Sequence, residues 1–334
     1  MADLEGLSRG LDRGVASGAL AGLHAVVLLR RGELLFERYW AGDDERWGRP
    51  LGRVDFAPDV LHDLRSVTKS VVGLLYGIAL ERRLVPPVET PLLDAFPEQR
   101  DRAGDPRRRR QTVAHALTMT LGNRWDEGSD YRDPRNAEHA MELARDRVRF
   151  VLAQPMEREP GQLWHYSGGA TALLAALLVR GTGQPLGAFA REALLAPLGI
   201  TAMEWIAGPL GDEVPASGLR LRPRDLARLG QLLLQGGQWE GRALVPSDWL
   251  ERSFTPRVAA GRTGQIGYGY HWWLSQPQPP AAWIGGFGNG GQTLMVHRKP
   301  EVVLAIAAGL YNDSEAQQLP LAVELEHVFP ALRR

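Results

Sequence analysis

The chain has 334 residues, 44% of them hydrophobic and 23% charged, with a formal net charge of +0 and a pI of about 7.1. That length suits one large domain, or two lobes sharing a cleft, and the balanced charge argues against a nucleic-acid partner or an acidic membrane surface. With no cysteine, disulfides, thiolate nucleophiles and cysteine-ligated zinc are all excluded.

The first residues, Met1-Ala2-Asp3-Leu4-Glu5, lack the basic start and apolar run of a signal peptide, and no uncharged apolar stretch is long enough to span a bilayer, so a cytoplasmic location is expected. Leu4, Leu7, Leu11 and Val15 recur at helical spacing and predict an opening amphipathic helix. His24 to Leu29 and Leu34 to Trp40 read as two strands of a hairpin around Arg31-Gly32. Asp63 to Arg83 reads as a helix apolar on nearly all sides, hence buried, ended by Pro86-Pro87. From about 88 to 255 the pattern is mainly helical with long polar loops, and Pro223 fits the first turn of a helix bearing Leu226, Leu229, Leu232 and Leu233. Strands return at Tyr268 to Leu274, Gln292 to Val296 and Val302 to Ala307, and Pro320 opens a last helix. This order predicts an α+β fold: one antiparallel sheet built from both chain ends (about 1–62 and 256–334), flanked by helices, with a mainly helical lobe (about 63–255) inserted in a single domain.

Two familiar patterns fail on context. Gly6-Leu7-Ser8-Arg9-Gly10 has the spacing of a nucleophile elbow but lies inside the predicted first helix, with no strand before it. Gly286-Phe287-Gly288-Asn289-Gly290-Gly291 has dinucleotide-fingerprint spacing but is followed by a strand pattern, not a helix. None of the eight histidines sits in H-E-x-x-H, so neither metal nor cofactor is expected.

The informative piece is Ser66-Val67-Thr68-Lys69. Positions i and i+3 share a helix face, so Lys69 can reach the Ser66 hydroxyl. Ser66 falls near the helix start, where its N–H is free to bind an oxyanion. Burial among apolar neighbours is expected to lower the Lys69 pKa and make it a base. Of the 39 basic Lys and Arg residues only Lys69 and Lys299 are lysine. A lysine surviving in so arginine-rich a chain points to a task that requires giving up a proton.

Further pieces follow in order: Ala116-Leu117-Thr118-Met119-Thr120, Pro160-Gly161-Gln162-Leu163-Trp164-His165-Tyr166-Ser167-Gly168, Ala196-Pro197-Leu198-Gly199-Ile200, Gly218-Leu219-Arg220-Leu221 and Gly288-Asn289-Gly290-Gly291-Gln292. With Leu64 to Ser70 they make the chain, over about residues 20 to 330, resemble the class C β-lactamase-related serine hydrolases. That group includes DD-peptidases, esterases and 6-aminohexanoate-dimer hydrolases. The resemblance implies a β-lactamase-like fold with Ser66 as nucleophile, Lys69 beside it and Tyr166 as general base or relay; on sequence alone Tyr166 fits a core tyrosine equally well. The family's second motif usually continues to an asparagine, replaced here by Gly168. Counting back from the last strands without gaps puts Trp283-Ile284-Gly285 at the third motif, where the family often has Lys-Thr-Gly on an edge strand; Trp283 also fits ordinary core packing.

The resemblance implies an acyl-Ser66 intermediate on a small ester or amide, with Lys69 and Tyr166 moving the proton and the Ser66 and Gly286 N–H groups as oxyanion hole. Trp283, Gly285, Trp164, Trp125, Gly168 and Asn289 are the expected substrate-binding residues. Tyr268 and Tyr270 are expected as further walls, and Trp125, in the loop from Gly122 to Asp133, is expected to close over the cleft. A β-lactamase, a DD-peptidase, a transacylase on the same site and a non-catalytic binding module on the same fold are the alternatives.

Overall fold

A computed structural model describes residues 2–128, 130–261, 264, 266–275 and 282–333. The opening helix α1 (Leu4–Ser17) is capped by Asp3, whose carboxylate accepts the Gly6 N–H at 2.8 Å, and buries Leu7 and Leu11. Strands β1 (Leu23–Arg30) and β2 (Glu33–Tyr39) form the expected hairpin. A second hairpin follows, β3 (Gly42–Arg46) and β4 (Arg49–Val54). It has no counterpart in the sequence reading, because Gly42-Asp43-Asp44-Glu45-Arg46 shows no alternation of apolar and polar residues.

Next come β5 (His62–Asp63) and the buried helix α2 (Val67–Glu81). The helix therefore begins four residues later than the expected Asp63. Asp63 is held in a strand by tertiary partners: its carboxylate accepts the Trp47 N–H at 2.6 Å and pairs with Arg220 at 2.7 Å and Arg65 at 3.2 Å. Arg65 itself has φ 47°, a left-handed conformation that turns the chain into the helix.

The intervening lobe contains α3 (Leu92–Ala95), α4 (Val113–Leu117), α5 (Ala137–Glu142), α6 (Arg147–Ala153), α7 (Gly168–Thr182) and α8 (Leu186–Ala190). Strands β6 (Met203–Trp205) and β7 (Leu219–Leu221) join β5 in a small sheet of order β5-β7-β6. Then come α9 (Pro223–Leu234), the short pair β8 (Gln238–Trp239) and β9 (Arg242–Ala243), and α10 (Ser247–Ser253).

The C-terminal part adds β10 (Val258–Ala260), β11 (Ile266–Tyr268), β12 (Trp273–Leu274), β13 (Ile284–Gly288), β14 (Gln292–His297) and β15 (Val302–Ala308), then α11 (Gln318–Ala322) and α12 (Phe329–Leu332). The expected single strand from Tyr268 to Leu274 is two strands, interrupted around His271, whose φ is 61°. The main sheet is antiparallel with order β10-β11-β12-β13-β14-β15-β1-β2, so the two chain ends meet where β1 pairs with β15.

Alternation along the strands divides the core. Val27, Leu294, Val296, Val303 and Ala305 face α2 and α9 in one cluster; Val26, Leu28, Met295, Leu304 and Ile306 face α1 and the C-terminal helices in the other. Among the described residues no single helix is long and apolar enough to cross a membrane.

The buried α2 leaves little slack. Trp249 lies against Gly77, where an added Cβ would fall 2.1 Å from the indole Cδ1, while the indole N–H donates to the Gly73 carbonyl at 3.0 Å. Gly77→Ala is expected to destabilise the fold by about 1–3 kcal/mol through overpacking. Thermal melts should show a drop of several degrees; an unchanged melting temperature would mean that Trp249 swings away freely.

Candidate active site

Ser66 stands at the N-terminus of α2 and Lys69 one turn on, both buried at 9% and 1% exposure. The Lys69 ammonium donates to Ser66 Oγ at 3.0 Å, as the i, i+3 spacing requires, and also to the Ala216 carbonyl at 3.1 Å and Glu138 Oε2 at 3.4 Å. Tyr166, just ahead of α7, lies beside them, its ring 4.9 Å from Lys69 Nζ. The three sequence-predicted catalytic candidates are therefore brought together.

Glu138 and Glu127 were not singled out in the sequence. Glu138, on α5, is 2% exposed and accepts from the Ser217 hydroxyl at 2.6 Å as well as from Lys69. Glu127 accepts from the Trp125 indole at 2.5 Å, from the Tyr131 hydroxyl at 3.4 Å and from the Gly168 N–H at the positive end of α7. The signal for such partners was a lysine inside an apolar helix, a charge that burial demands be paired. Which acidic residue supplies the pair is a matter of folding, since 69 positions separate Lys69 from Glu138.

These carboxylates overturn the expected Lys69 titration. Burial pushes its pKa down, but Glu138, Tyr166 and Glu127 together push it further up, so it stays an ammonium above its ordinary value. Burial also raises Tyr166, with Lys69 and the neighbouring Ser66 hydroxyl pulling the other way. Glu127 is pushed up to about 7, by burial first and then by Glu138.

A carboxylate that titrates near 7 when folded but near 4.5 when unfolded binds its proton more tightly in the native state. The stability it contributes is complete below about pH 4.5 and is lost as pH rises towards 7. Over that window the melting temperature of the wild type is expected to fall relative to that of Glu127→Gln. Parallel melting curves across a pH series would remove this proton from the account.

The substrate-binding expectations need more correction. A cavity of about 150 Å³ opens over Ser66, and Arg65, Tyr131, Glu138, Glu142, Ser217 and Asn289 are among its walls. Trp283 and Gly285 do not line it. On β13 the side chains of 283, 285 and 287 share one face, a Cβ on Gly285 meeting the Phe287 and Trp283 rings. Trp283 and Phe287 pack with the core cluster on the α1 side of the sheet, whereas Ile284 packs with α2. Gapless counting landed on the wrong face, which a one-residue offset suffices to do. Nor is β13 an edge strand, since β12 pairs with it.

Gly286 also moves. A Cβ there would meet Ser70 and Val67, inside the helix, whereas one on Gly288 would meet Leu64 and Arg65, beside Ser66. Gly286-Phe287-Gly288 is the segment passing the start of α2, and the backbone after it, at Asn289, reaches the cavity with Ser66. Neither the Ser66 nor the Asn289 N–H makes a hydrogen bond with another of the described residues, so this pair replaces Ser66 with Gly286 as the candidate oxyanion hole. Asn289 is locked in place: its side chain donates to Asn312 Oδ1 at 2.8 Å and accepts the Asn312 N–H at 2.6 Å.

Trp125 is not a lid. It is 4% exposed, packs edge-on against Phe150 and orients Glu127; from the same loop Tyr131 lines the cavity. Trp164 and Tyr268 sit beside Tyr166 in an aromatic cluster completed by Trp273, which sequence reading missed. Tyr270 is core, against Trp249. Gly168 is where a side chain has no room: its Cβ would fall 2.5 Å from Glu138 Oε2 and 3.0 Å from Glu127 Oε1. The family's asparagine is missing because two carboxylates fill its space.

A sequence profile described as Beta-lactamase matches residues 8–325. Over 262 residues, 76% of the chain, it is 29% identical to esterase EstB of Burkholderia gladioli; the match covers 64% of that protein's length. It is 24% identical over 300 residues, 84% of the chain and 71% of the relative, to a 6-aminohexanoate-dimer hydrolase of Paenarthrobacter ureafaciens. Among solved structures, an octameric penicillin-binding protein homologue from Pyrococcus abyssi superposes with a TM-score of 0.70 at 17% identity, over 97% of this chain and 78% of that one. That likeness carries the β-lactamase and DD-peptidase fold.

Proposed function

The chain belongs to the Beta-lactamase family, and from that premise we propose that it is a serine hydrolase acting through an acyl-Ser66 intermediate on carboxylic esters or small amides. The observation that carries this reading is the Ser66 hydroxyl, 3.0 Å from Lys69 Nζ, at a cavity of about 150 Å³. Ser66 Oγ attacks the substrate carbonyl carbon and its proton passes to Lys69, while Lys69 passes one of its own to Glu138. The ammonium charge is thus conserved beside the developing oxyanion. The Ser66 and Asn289 N–H groups receive the oxyanion. Tyr166 protonates the leaving oxygen or nitrogen and recovers its proton through Lys69 from Glu138. In deacylation water attacks the acyl carbon, its proton passing to Tyr166 as Tyr166 passes its own to Lys69; the Ser66 oxygen leaves and takes a proton back from Lys69, which restores the starting state.

Esters are favoured over β-lactams. None of the residues of β13 is cationic, Gly168 offers no amide, and the chain's other lysine, Lys299, lies in the turn between β14 and β15, outside the cavity. The two arginines that line the cavity are both engaged, Arg65 by Glu45 at 3.1 Å and Asp63 at 3.2 Å and Arg132 by Asp130 at 2.8 Å. Losing a charge-assisted contact to a substrate carboxylate costs about 1.5–3 kcal/mol, roughly tenfold to over a hundredfold. A panel of p-nitrophenyl esters of increasing chain length, a chromogenic cephalosporin and a linear aminohexanoate dimer tests this. Esters should turn over fastest; efficient cephalosporin hydrolysis with inert esters would reverse the reading.

A further inference from the structure

Three buried side chains from separate strands meet: His24 on β1, Asp44 on β3 and His62 on β5, the strand that leads into Ser66, none more than 3% exposed. Their donor atoms lie within 4.8 Å of one another. His24 Nδ1 is 3.0 Å from His62 Nε2, and His62 Nε2 is 3.5 Å from Asp44 Oδ1. No sequence motif announces the group, because β1, β3 and β5 belong to three different sheets and only their packing together brings positions 24, 44 and 62 to one place.

The hydrogen positions follow from the surroundings. His62 Nδ1 lies 3.1 Å from the Asp63 carbonyl, which only accepts, so Nδ1 carries a hydrogen and Nε2 is the ring atom turned towards His24 and Asp44. Asp44 Oδ1 accepts from the Tyr311 hydroxyl at 2.7 Å. Asp44 Oδ2 is buried with no hydrogen-bond partner among the described residues, and the Arg220 guanidinium stands off at 3.9 Å. A buried carboxylate with one unsatisfied oxygen thus stands beside two imidazole nitrogens only 3.0 Å apart. That arrangement is costly with a lone proton between the imidazoles.

We propose that His24 Nδ1, His62 Nε2 and the Asp44 carboxylate form a binding site for a divalent transition ion of the zinc class. Two nitrogens and one oxygen are a donor set that suits zinc, and donors held at about 2.0–2.2 Å from one ion stand roughly 3.0–3.5 Å apart, the spacing already present in two of the pairs. The supports are those of metal ligands: the far N–H of His62 on a backbone carbonyl and the Tyr311 hydroxyl on the carboxylate. The His24 ring is fixed by stacking on Phe56 at 4.3 Å and by Gly42 and Gly309, at either of which a Cβ would fall 2.4 Å from the ring. Such an ion ties β1, β3 and β5 together and anchors the strand from which the chain turns into Ser66. Its role is structural, and the site stands independently of the hydrolase reading.

The test uses the full chain, stripped with a chelator and dialysed, then titrated with Zn²⁺ and with Co²⁺ as a spectroscopic probe. One ion per chain should bind, Co²⁺ should give the visible bands of a low-coordinate nitrogen and oxygen site, and Zn²⁺ at a hundredfold excess over its Kd should raise the melting temperature by roughly 5 °C. Asp44→Asn, which keeps the shape, and His24→Gln should each lose the cobalt bands and weaken binding at least about tenfold. A wild-type protein without stoichiometric binding or cobalt bands overturns the site by itself, whether or not the variants fold. Binding that both folded variants retain unchanged overturns it equally.

Discussion

Ser66→Ala is expected to lower ester turnover by on the order of 10⁴-fold or more and to abolish labelling by a fluorophosphonate probe, leaving the melting temperature nearly unchanged. The fold should tolerate the change because Ser66 makes no side-chain cap on α2. Competing hydroxyls are engaged elsewhere. Ser70 Oγ donates to the His271 carbonyl at 2.7 Å, one turn inside the helix, and Ser217, although it lines the cavity, donates to Glu138 at 2.6 Å. Peptide mapping of the labelled protein decides the matter. A label on Ser217 or Ser70, or a labelled Ser66→Ala protein, would assign the nucleophile elsewhere.

Lys69→Arg is expected to lower turnover by about 10²–10⁴-fold although charge is conserved. A guanidinium holds its proton at any usable pH and is broader than an ammonium, so it can pair with Glu138 but cannot relay a proton from Ser66. Glu138→Gln should produce a loss of the same order by removing the acceptor at the other end of the relay. It should also melt earlier, because Lys69 is then a buried cation without its counter-charge. Single-turnover ester kinetics with intact-mass detection of the acyl-enzyme, read beside thermal melts, separate the two effects. Near-normal acylation in Lys69→Arg would show that Lys69 carries no proton and that Tyr166 is the sole base.

The legible parts of the molecule depend on short stretches of chain. Leu7 and Leu11 of α1, the β1–β2 hairpin and the closing strands follow the periods of helix and strand, and Ser66 with Lys69 follows the i, i+3 geometry of one helical turn. The start of α2 was misplaced because local pattern cannot foresee that Asp63, itself helix-compatible, is claimed by Arg220 and the Trp47 N–H. Trp283 was misassigned for a sharper reason. Side chains alternate across a sheet, so counting to a strand position without knowing its partners can choose the wrong side, and Trp283 lies on the side away from α2.

By itself, then, the sequence determined the fold class, the buried helix and the proximity of Ser66 to Lys69, since each is written in residues within a few positions of one another or in apolar periodicity. Only the tertiary structure decided the electrostatics and the walls of the site. Glu138 and Glu127 reach Lys69 from distant segments, fill the space beside Gly168 and convert an expected neutral base into a held ammonium. The physical reason is the same in each case. Periodicity is a property of the backbone's own geometry, whereas a buried charge takes its protonation state from whichever side chains the fold packs against it, however far away they lie in the chain.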